Sequence, residues 1–360
     1  MKKQKLNNAI TFGGTAVLCI VMSALMSAGA LNGNNMLKGL LIPIGIHIIL
    51  ALSLNLTVGI LGELSLGHAG FMCVGALCGS AVSQIVMVNT DCPPVPRLVI
   101  ALAVSGIMAA VFGVLIGIPV LRLRGDYLAI VTLGFGEIVK SLATNIYLTV
   151  DANGLHFGFT KPPENVDTET ATQILKGPIG VQAPQDTNIW VVTVVLLLVL
   201  IVLMTFISSK SGRACMAVRD NYIAAQSVGI NVTKFRLMAF TISAGLAGVA
   251  GGLYVHSIPM VAFTKFDYNF SILILVFVVL GGLGSLRGSI IATIILYALP
   301  EIFREVGDYR MLIYAIVLIG MMIFNNAPFF IQLRERVGAS APVQRLKGIF
   351  KKNKTAGGAE

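Results

Sequence analysis

Charge is scarce in this chain. Only 12% of its 360 residues are charged, against 56% that are hydrophobic, whereas a soluble domain carries about 25% charged residues. That scarcity excludes a free-standing soluble globule. Cysteine is sparse as well. The five (Cys19, Cys73, Cys78, Cys92 and Cys215) include no CxxC spacing, so neither a disulfide framework nor a metal site is suggested. His68, His156 and His256 show no ligand spacing either. No GxxxxGK[ST] phosphate loop occurs, so the chain is not expected to drive anything with its own nucleotide. An intramembrane enzyme would need a convergent Ser/His, His/Glu or paired-Asp constellation, and none is apparent. No internal repeat is visible at the residue level.

Long apolar runs fill the space these absences leave. A membrane-spanning helix needs about 20 apolar residues, and such runs occur near 10–31, 37–61, 66–88, 98–120, 127–149, 188–208, 237–257, 268–286, 289–306 and 311–327. The expected fold is therefore all-α and polytopic, with about ten spans over residues 1–327 and a basic tail over 328–360. The first run follows MKKQK and ends near a small-residue "SAGA". It is longer than the 7–15 residues typical of a signal-peptide core, so it reads as a retained span. The 38 glycines suit close approach between membrane helices.

The net charge of +10 records orientation better than it suggests nucleic acid. With the N-terminus inside, eighteen Lys and Arg fall in cytoplasmic segments and seven outside. This follows the positive-inside rule and puts both ends in the cytoplasm. The acidic loop 150–187 then lies outside and 209–236 lies inside. The tail, basic with Leu346, Ile349 and Phe350 interspersed, suits anionic lipid and not nucleic acid.

The inner loop reads "GRACMAVRDNYIAAQSVGINVTKFR" over 212–236. At 100° per residue Ala214, Val218, Tyr222, Ala225 and Gly229 share one stripe, with Arg213, Asp220 and Ser227 opposite. Asp220 is expected to cap a short second helix, Gly229 to end it in a left-handed conformation, and Asn231 to cap the next membrane helix. Small Ala224 and Ala225 predict a shallow surface suited to docking in another protein's cleft.

Within the apolar runs, Glu137 and Lys140 stand i, i+3 on one helix face. Intramembrane charges mark functional sites by default, so two readings stand: a pair that locks helix packing, or a lining of the pathway. Packing is the simpler one. Glu63 and His68 flank the glycine turn "GELSLGHAG", where a histidine serves best as a structural hydrogen-bonder. "GGLGSLRGS" lacks the Lys-Ser/Thr end of a phosphate loop and reads as a tight turn that sets Arg287 at the headgroups.

Four blocks together resemble one family. "GRA..A.RDN..AA...GIN", carried by Gly212, Arg213, Ala214, Ala217, Arg219, Asp220, Ala224, Ala225, Gly229 and Ile230, is similar to the coupling loop of ABC-importer permeases, in the form found in the M-type permeases of high-affinity branched-chain amino-acid transporters. "LNLTVGILGELSLGHAGFMCVGA" (54–76), "LRLRGDYLAIVTLGFGEIV" (121–139) and "GGLGSLRGSI" (281–290) resemble the same family. Ile223 stands where the general importer loop has an acid, Gln226 replaces a common Glu, and "VDANGLHFG" replaces a "GGPNGI"-like run. The resemblance implies a multi-pass permease of the bacterial plasma (inner) membrane that is not an enzyme. It holds no cofactor, since ATP is bound by two cytoplasmic ATPase subunits that bind the permeases' coupling loops, here 209–236. A second homologous permease and an extracytoplasmic substrate-binding protein complete the complex. Branched-chain or similar neutral amino acids are the expected cargo. Urea or short amides stay open within the class, and a self-sufficient secondary transporter is the alternative outside it.

Overall fold

The structure is a computed structural model; it describes residues 35–303 apart from 90–92, 124, 152–153 and 162–171, with a few scattered positions beside that range. Two compact units divide the chain, Met1–Ala298 and Leu299–Glu360. The first holds the bundle described below; of the second, the end of one helix, the helical stretch 315–320 and isolated positions are described.

Six segments among the described residues are long and apolar enough to cross a membrane: Gly39–Leu61, His68–Val88, Pro94–Val120, Asp126–Asn145, Ile189–Ser208 and Val232–Val255. Each begins and ends within five residues of an expected span. They belong to helices α1 (Asn35–Asn55), α2 (His68–Asn89), α3 (Pro94–Val120), α4 (Asp126–Asn145), α5 (Ile189–Ser208) and α8 (Val232–Val255). Between α5 and α8 lie two short helices, α6 (Lys210–Asp220) and α7 (Tyr222–Ser227). The runs expected at 268–286 and 289–306 form shorter helices, α9 (Tyr268–Gly281) and α10 (Leu286–Ile302). The run at 10–31 lies outside the described residues but for one position; of the run at 311–327, the helical stretch 315–320 and two single positions are described, and the tail 328–360 lies wholly outside.

Helix α8 packs along both α2 and α3, which also pack on each other. The sequence permits this because the contacting faces are small. An added methyl at Gly248 would collide with Ala109 and the Ser105 carbonyl, and one at Gly75 would strike the Gly248 backbone. Backbones this close gain dispersion contacts where lipid supplies no hydrophobic drive. The Ser105 hydroxyl donates to the Gly75 carbonyl at 2.8 Å, tying α3 to α2. Helix α1 is the most buried of the six spans and leans on α8 and α5. His68 is fully buried and shares a 2.6 Å hydrogen bond with Ser53 of α1, a structural contact.

The fifth expected span, 127–149, needs correction at its C-terminal end. Helix α4 stops at Asn145, and Ile146–Asp151 is strand β1. Ile146, Tyr147, Thr149 and Val150 are β-branched or aromatic, types that favour a pleated surface over a continued helix. With β2 (Gly154–Phe159) and β3 (Thr172–Lys176) it forms an antiparallel sheet in the order β2-β1-β3. The described parts of the 150–187 loop are therefore structured.

Candidate functional site

The segment 209–236 is a helix, a break, a second helix and a stop. Ser209 caps α6, its hydroxyl accepting from the Gly212 N–H at 3.1 Å. Gly212, Cys215 and Val218 make the buried face of α6. Burial pushes the Cys215 thiol up to about 11, so it stays protonated at neutral pH. Arg213 is exposed and donates to the Ser208 carbonyl at 2.9 Å. The Ala217 carbonyl closes the helix by accepting from the Asn221 N–H.

Asn221, and not Asp220, caps α7. Its backbone is extended, and its side-chain oxygen accepts from the N–H groups of Ile223 and Ala224 at 3.0 and 3.1 Å. Asp220 instead forms an ion pair with Arg219 at 3.0 Å. The carboxylate is engaged by a guanidinium, and the neighbouring amide, one position closer to the orphan donors, takes the cap. The far end of α7 matches expectation. Gly229 has φ +83°, the Ile230 N–H donates to the Ala225 carbonyl and the Gly229 N–H to that of Gln226. These two bonds are the Schellman pair that closes a helix at a left-handed residue. Asn231 then caps α8, accepting from the Lys234 N–H at 3.1 Å.

Only Ala224 of the expected shallow face points outward. The break at Asn221 interrupts the helical stripe, so Ala225 is buried against the chain's own fold while Ala224, Tyr222 and Gly229 are exposed. The groups that α7 offers outward are Ile223 and Val228, 62% and 76% exposed. The reading of the sequence missed both, although Ile223 had stood out as an apolar residue at an acid's place.

Behind α7 the loop is anchored by bonds that no local pattern announces. Helix α1 runs on as a π-helical turn, Leu56–Leu61, and such turns mark functional positions because they free backbone groups from the regular ladder. The Arg219 guanidinium reaches this turn and donates to the Gly59 carbonyl at 2.8 Å. One turn earlier, the Asn55 amide accepts from the Gly284 N–H at 2.8 Å and donates to the Ser289 hydroxyl at 3.0 Å. The glycine turn at 282–285 is thus held to α1. Arg236, at the start of α8, pairs with Glu63 and donates to the Leu121 and Leu123 carbonyls at 2.8 and 3.3 Å. Burial raises the Glu63 carboxyl above its ordinary range, and the Arg236 charge pulls it back. Three turns and the loop thus meet at one end of the bundle.

Glu137 and Lys140 form an i, i+3 ion pair on α4, both partly exposed. The second Glu137 oxygen accepts from the Tyr268 N–H at 3.0 Å, at the first turn of α9. The pair therefore joins α4 to the start of α9.

Comparison with known proteins gives the family. A profile of the family described as "Branched-chain amino acid transport system / permease component" matches residues 36–324. The high-affinity branched-chain amino acid transport system permease protein LivM of Escherichia coli (strain K12) is 38% identical over 296 residues, covering 78% of this chain and 66% of that protein. The chain thus spans slightly less than two thirds of that relative. A probable branched-chain amino acid transport permease protein LivM of Methanocaldococcus jannaschii is 22% identical over 304 residues, 77% of this chain and 83% of the relative. The permease protein LivH of the same high-affinity system in Salmonella typhimurium is 34% identical over 112 residues, 30% of this chain and 34% of the relative. No solved structure matches.

Proposed function

The chain belongs to the branched-chain amino acid transport permease family and is a multi-pass inner-membrane protein, and from that premise we propose that it is the membrane subunit of an ATP-driven importer for branched-chain amino acids. In this reading it crosses the membrane about ten times, with 209–236 and 328–360 in the cytoplasm and 150–187 outside. Gly212, Arg213, Ala217, Arg219, Asp220, Ala224, Ala225, Gly229 and Ile230 build this chain's coupling loop; the two ATPase subunits of the complex bind the coupling loops of the two permeases, and ATP is bound by them and not by this chain. A second permease completes the path; the partial likeness to LivH supports a homologous one. An extracytoplasmic binding protein supplies the substrate.

The observation that carries the proposal is α7. It is capped at both ends, fixed from behind through Arg219 and Gly59, and presents Ile223 and Val228 to solvent. A helix with exposed apolar anchors on a rigid mount is built to sit in a partner's groove. Force on it passes to the π turn of α1 and, through Asn55, to the turn at Gly284. The mount matters because a loop that gave way would absorb the partner's motion instead of transmitting it.

Single cysteines at Val228 and Ile179 in a cysteine-free complex test this. An impermeant thiol reagent is expected to reach Val228→Cys from the cytoplasmic face and Ile179→Cys from the outer face. Bound ATPase subunits are expected to protect only the former. Labelling from one face, or no protection at Val228→Cys, overturns the proposal.

A further inference from the structure

Helix α9 is too short to cross a bilayer. Its 14 residues, Tyr268–Gly281, rise about 21 Å against a hydrocarbon core of about 30 Å. Its C-terminal end runs into the glycine turn held by Asn55 at the cytoplasmic end of the bundle. Its N-terminus must therefore lie within the membrane. A second ruler agrees. Tyr268 bonds Glu137, which lies eight residues before α4 ends at Asn145, about 12 Å along the helix.

The chain before α9 is a 3₁₀ turn, Phe263–Lys265, followed by Phe266 and the helix cap Asp267. Irregular backbone at that depth is tolerated where it is buried in protein or lines a water-filled cavity. Here it borders one. A cavity of about 440 Å³ is lined by Lys265, Asp267 and Asn269 on its polar side and by Tyr254, Phe270 and Leu273 among the others. The volume falls within the roughly 300–1,000 Å³ of small-molecule sites.

The lining has the chemistry of a zwitterion with an aliphatic tail. The Lys265 ammonium has no hydrogen bond or ion pair among the described residues, and so is available to a carboxylate. Asp267 accepts one hydrogen bond on each oxygen, from the Phe270 N–H and the Asn269 amide, and an ionised carboxylate has lone pairs left for an ammonium. Phe270 and Leu273, one turn apart on α9, supply an apolar wall. A second groove, about 520 Å³ between α3, α5 and α8, is lined by Val, Leu, Ala and Trp190 throughout and offers a charged substrate nothing.

We propose that this cavity is a transit site in which the permease itself holds the amino acid, through Lys265 and Asp267 at its charged end and Phe270 and Leu273 at its side chain. The proposal rests on the importer reading above and deepens it. Glu137 and Lys140 are positioning residues here: they neutralise each other and fix the start of α9 against α4. A broken helix aimed at a substrate near mid-membrane, beside irregular backbone, is a recurrent way to make such a site. A transit site must release what it holds, and an opening lined by one lysine and one capped aspartate binds without enclosing.

The test uses the full complex with its binding protein in proteoliposomes, comparing labelled leucine and valine uptake with binding-protein-stimulated ATP hydrolysis. Lys265→Met and Leu273→Trp are each expected to lower leucine uptake at least tenfold while stimulated hydrolysis stays within twofold, and Lys265→Arg to recover most of the uptake. Leu273→Ala removes bulk and introduces no clash; it is expected to raise the leucine-to-valine uptake ratio at least threefold. Uptake within twofold of wild type in both Lys265→Met and Leu273→Trp overturns the proposal. So does an unchanged ratio in Leu273→Ala, even if the tryptophan variant fails to assemble. If the wild-type complex takes up neither amino acid, the importer reading itself has failed, and this site falls with it.

Discussion

Replacing Ile223 and Val228 together with serine should detach the ATPase subunits while leaving the membrane bundle intact. Full burial of an Ile or Val side chain is worth about 1.5–3 kcal/mol. Ile223 and Val228 still have 62% and 76% of their surface in water. If a partner covers that remainder, each contributes about 1–2 kcal/mol to the contact, and the pair about 2–4 kcal/mol. At 1.4 kcal/mol per tenfold, the double change weakens association about 30- to 700-fold. The chain's own stability should shift by no more than about 0.5 kcal/mol, because most of both side chains lies in water already. The assay is titration of ATPase subunits onto solubilised permease, with a thermal melt of the permease alone as control. An affinity within threefold of wild type and an unchanged melt would refute the argument, since α7 would then not be the contact. Ala225→Trp is the less informative change: Ala225 is buried, so a tryptophan would force α7 off its mount and conflate misfolding with lost docking.

Other expectations follow from the same contacts. Asn221→Ala removes the acceptor for two backbone donors and should cost about 0.5–2 kcal/mol, whereas Asp220→Ala should cost less; urea or thermal melts of the loop rank the two, and the reverse order would return the cap to Asp220. Gly229→Val forces a β-branched residue to φ +83° at about 1–3 kcal/mol, and should lower substrate-stimulated ATP hydrolysis without lowering membrane insertion. For Glu137 and Lys140, a partly exposed pair intermediate between surface and buried cases, losing one partner should cost about 1–3 kcal/mol. The double change Glu137→Gln, Lys140→Met should express and transport better than Lys140→Met alone, and vanished uptake from a well-folded double variant would make the pair part of the pathway. The Cys215 thiol, raised to about 11 by burial, holds its proton more tightly folded than unfolded, where it titrates near about 8.5. Its contribution is therefore complete below pH ~8.5 and lost as pH rises through about 11; melts of wild type and Cys215→Ala should diverge over that window, and parallel curves would contradict it.

Much of the bundle was legible because membrane solvation leaves few options. An apolar run of sufficient length becomes a helix, and the six long segments lie where hydropathy put them. Gly229 and Asn231 were legible too, since left-handed backbone and helix starts each select a few residue types. The cap at Asn221 was not. Asp220 and Asn221 are both good caps, and the choice turns on Arg219, whose guanidinium holds the aspartate. That same arginine reaches Gly59 across 160 residues of sequence, and Arg236 reaches Glu63 across 173, distances at which no periodicity or spacing carries a signal. The buried side of Ala225 followed from the break before it, which rotates α7 relative to α6. The start of α9 was hidden for another reason. The apolar run at 268–286 looks continuous, and nothing in it announces that the helix is only 14 residues long and starts against Glu137.

Uptake of labelled leucine against labelled urea, in proteoliposomes containing this permease, its partner permease, the ATPase subunits and the binding protein, tests the central claim most directly. ATP-dependent accumulation of leucine, competed by isoleucine and valine and lost in the Ile223→Ser, Val228→Ser double variant, is the result predicted. Accumulation of urea without leucine, or leucine uptake that needs no ATP, would contradict it.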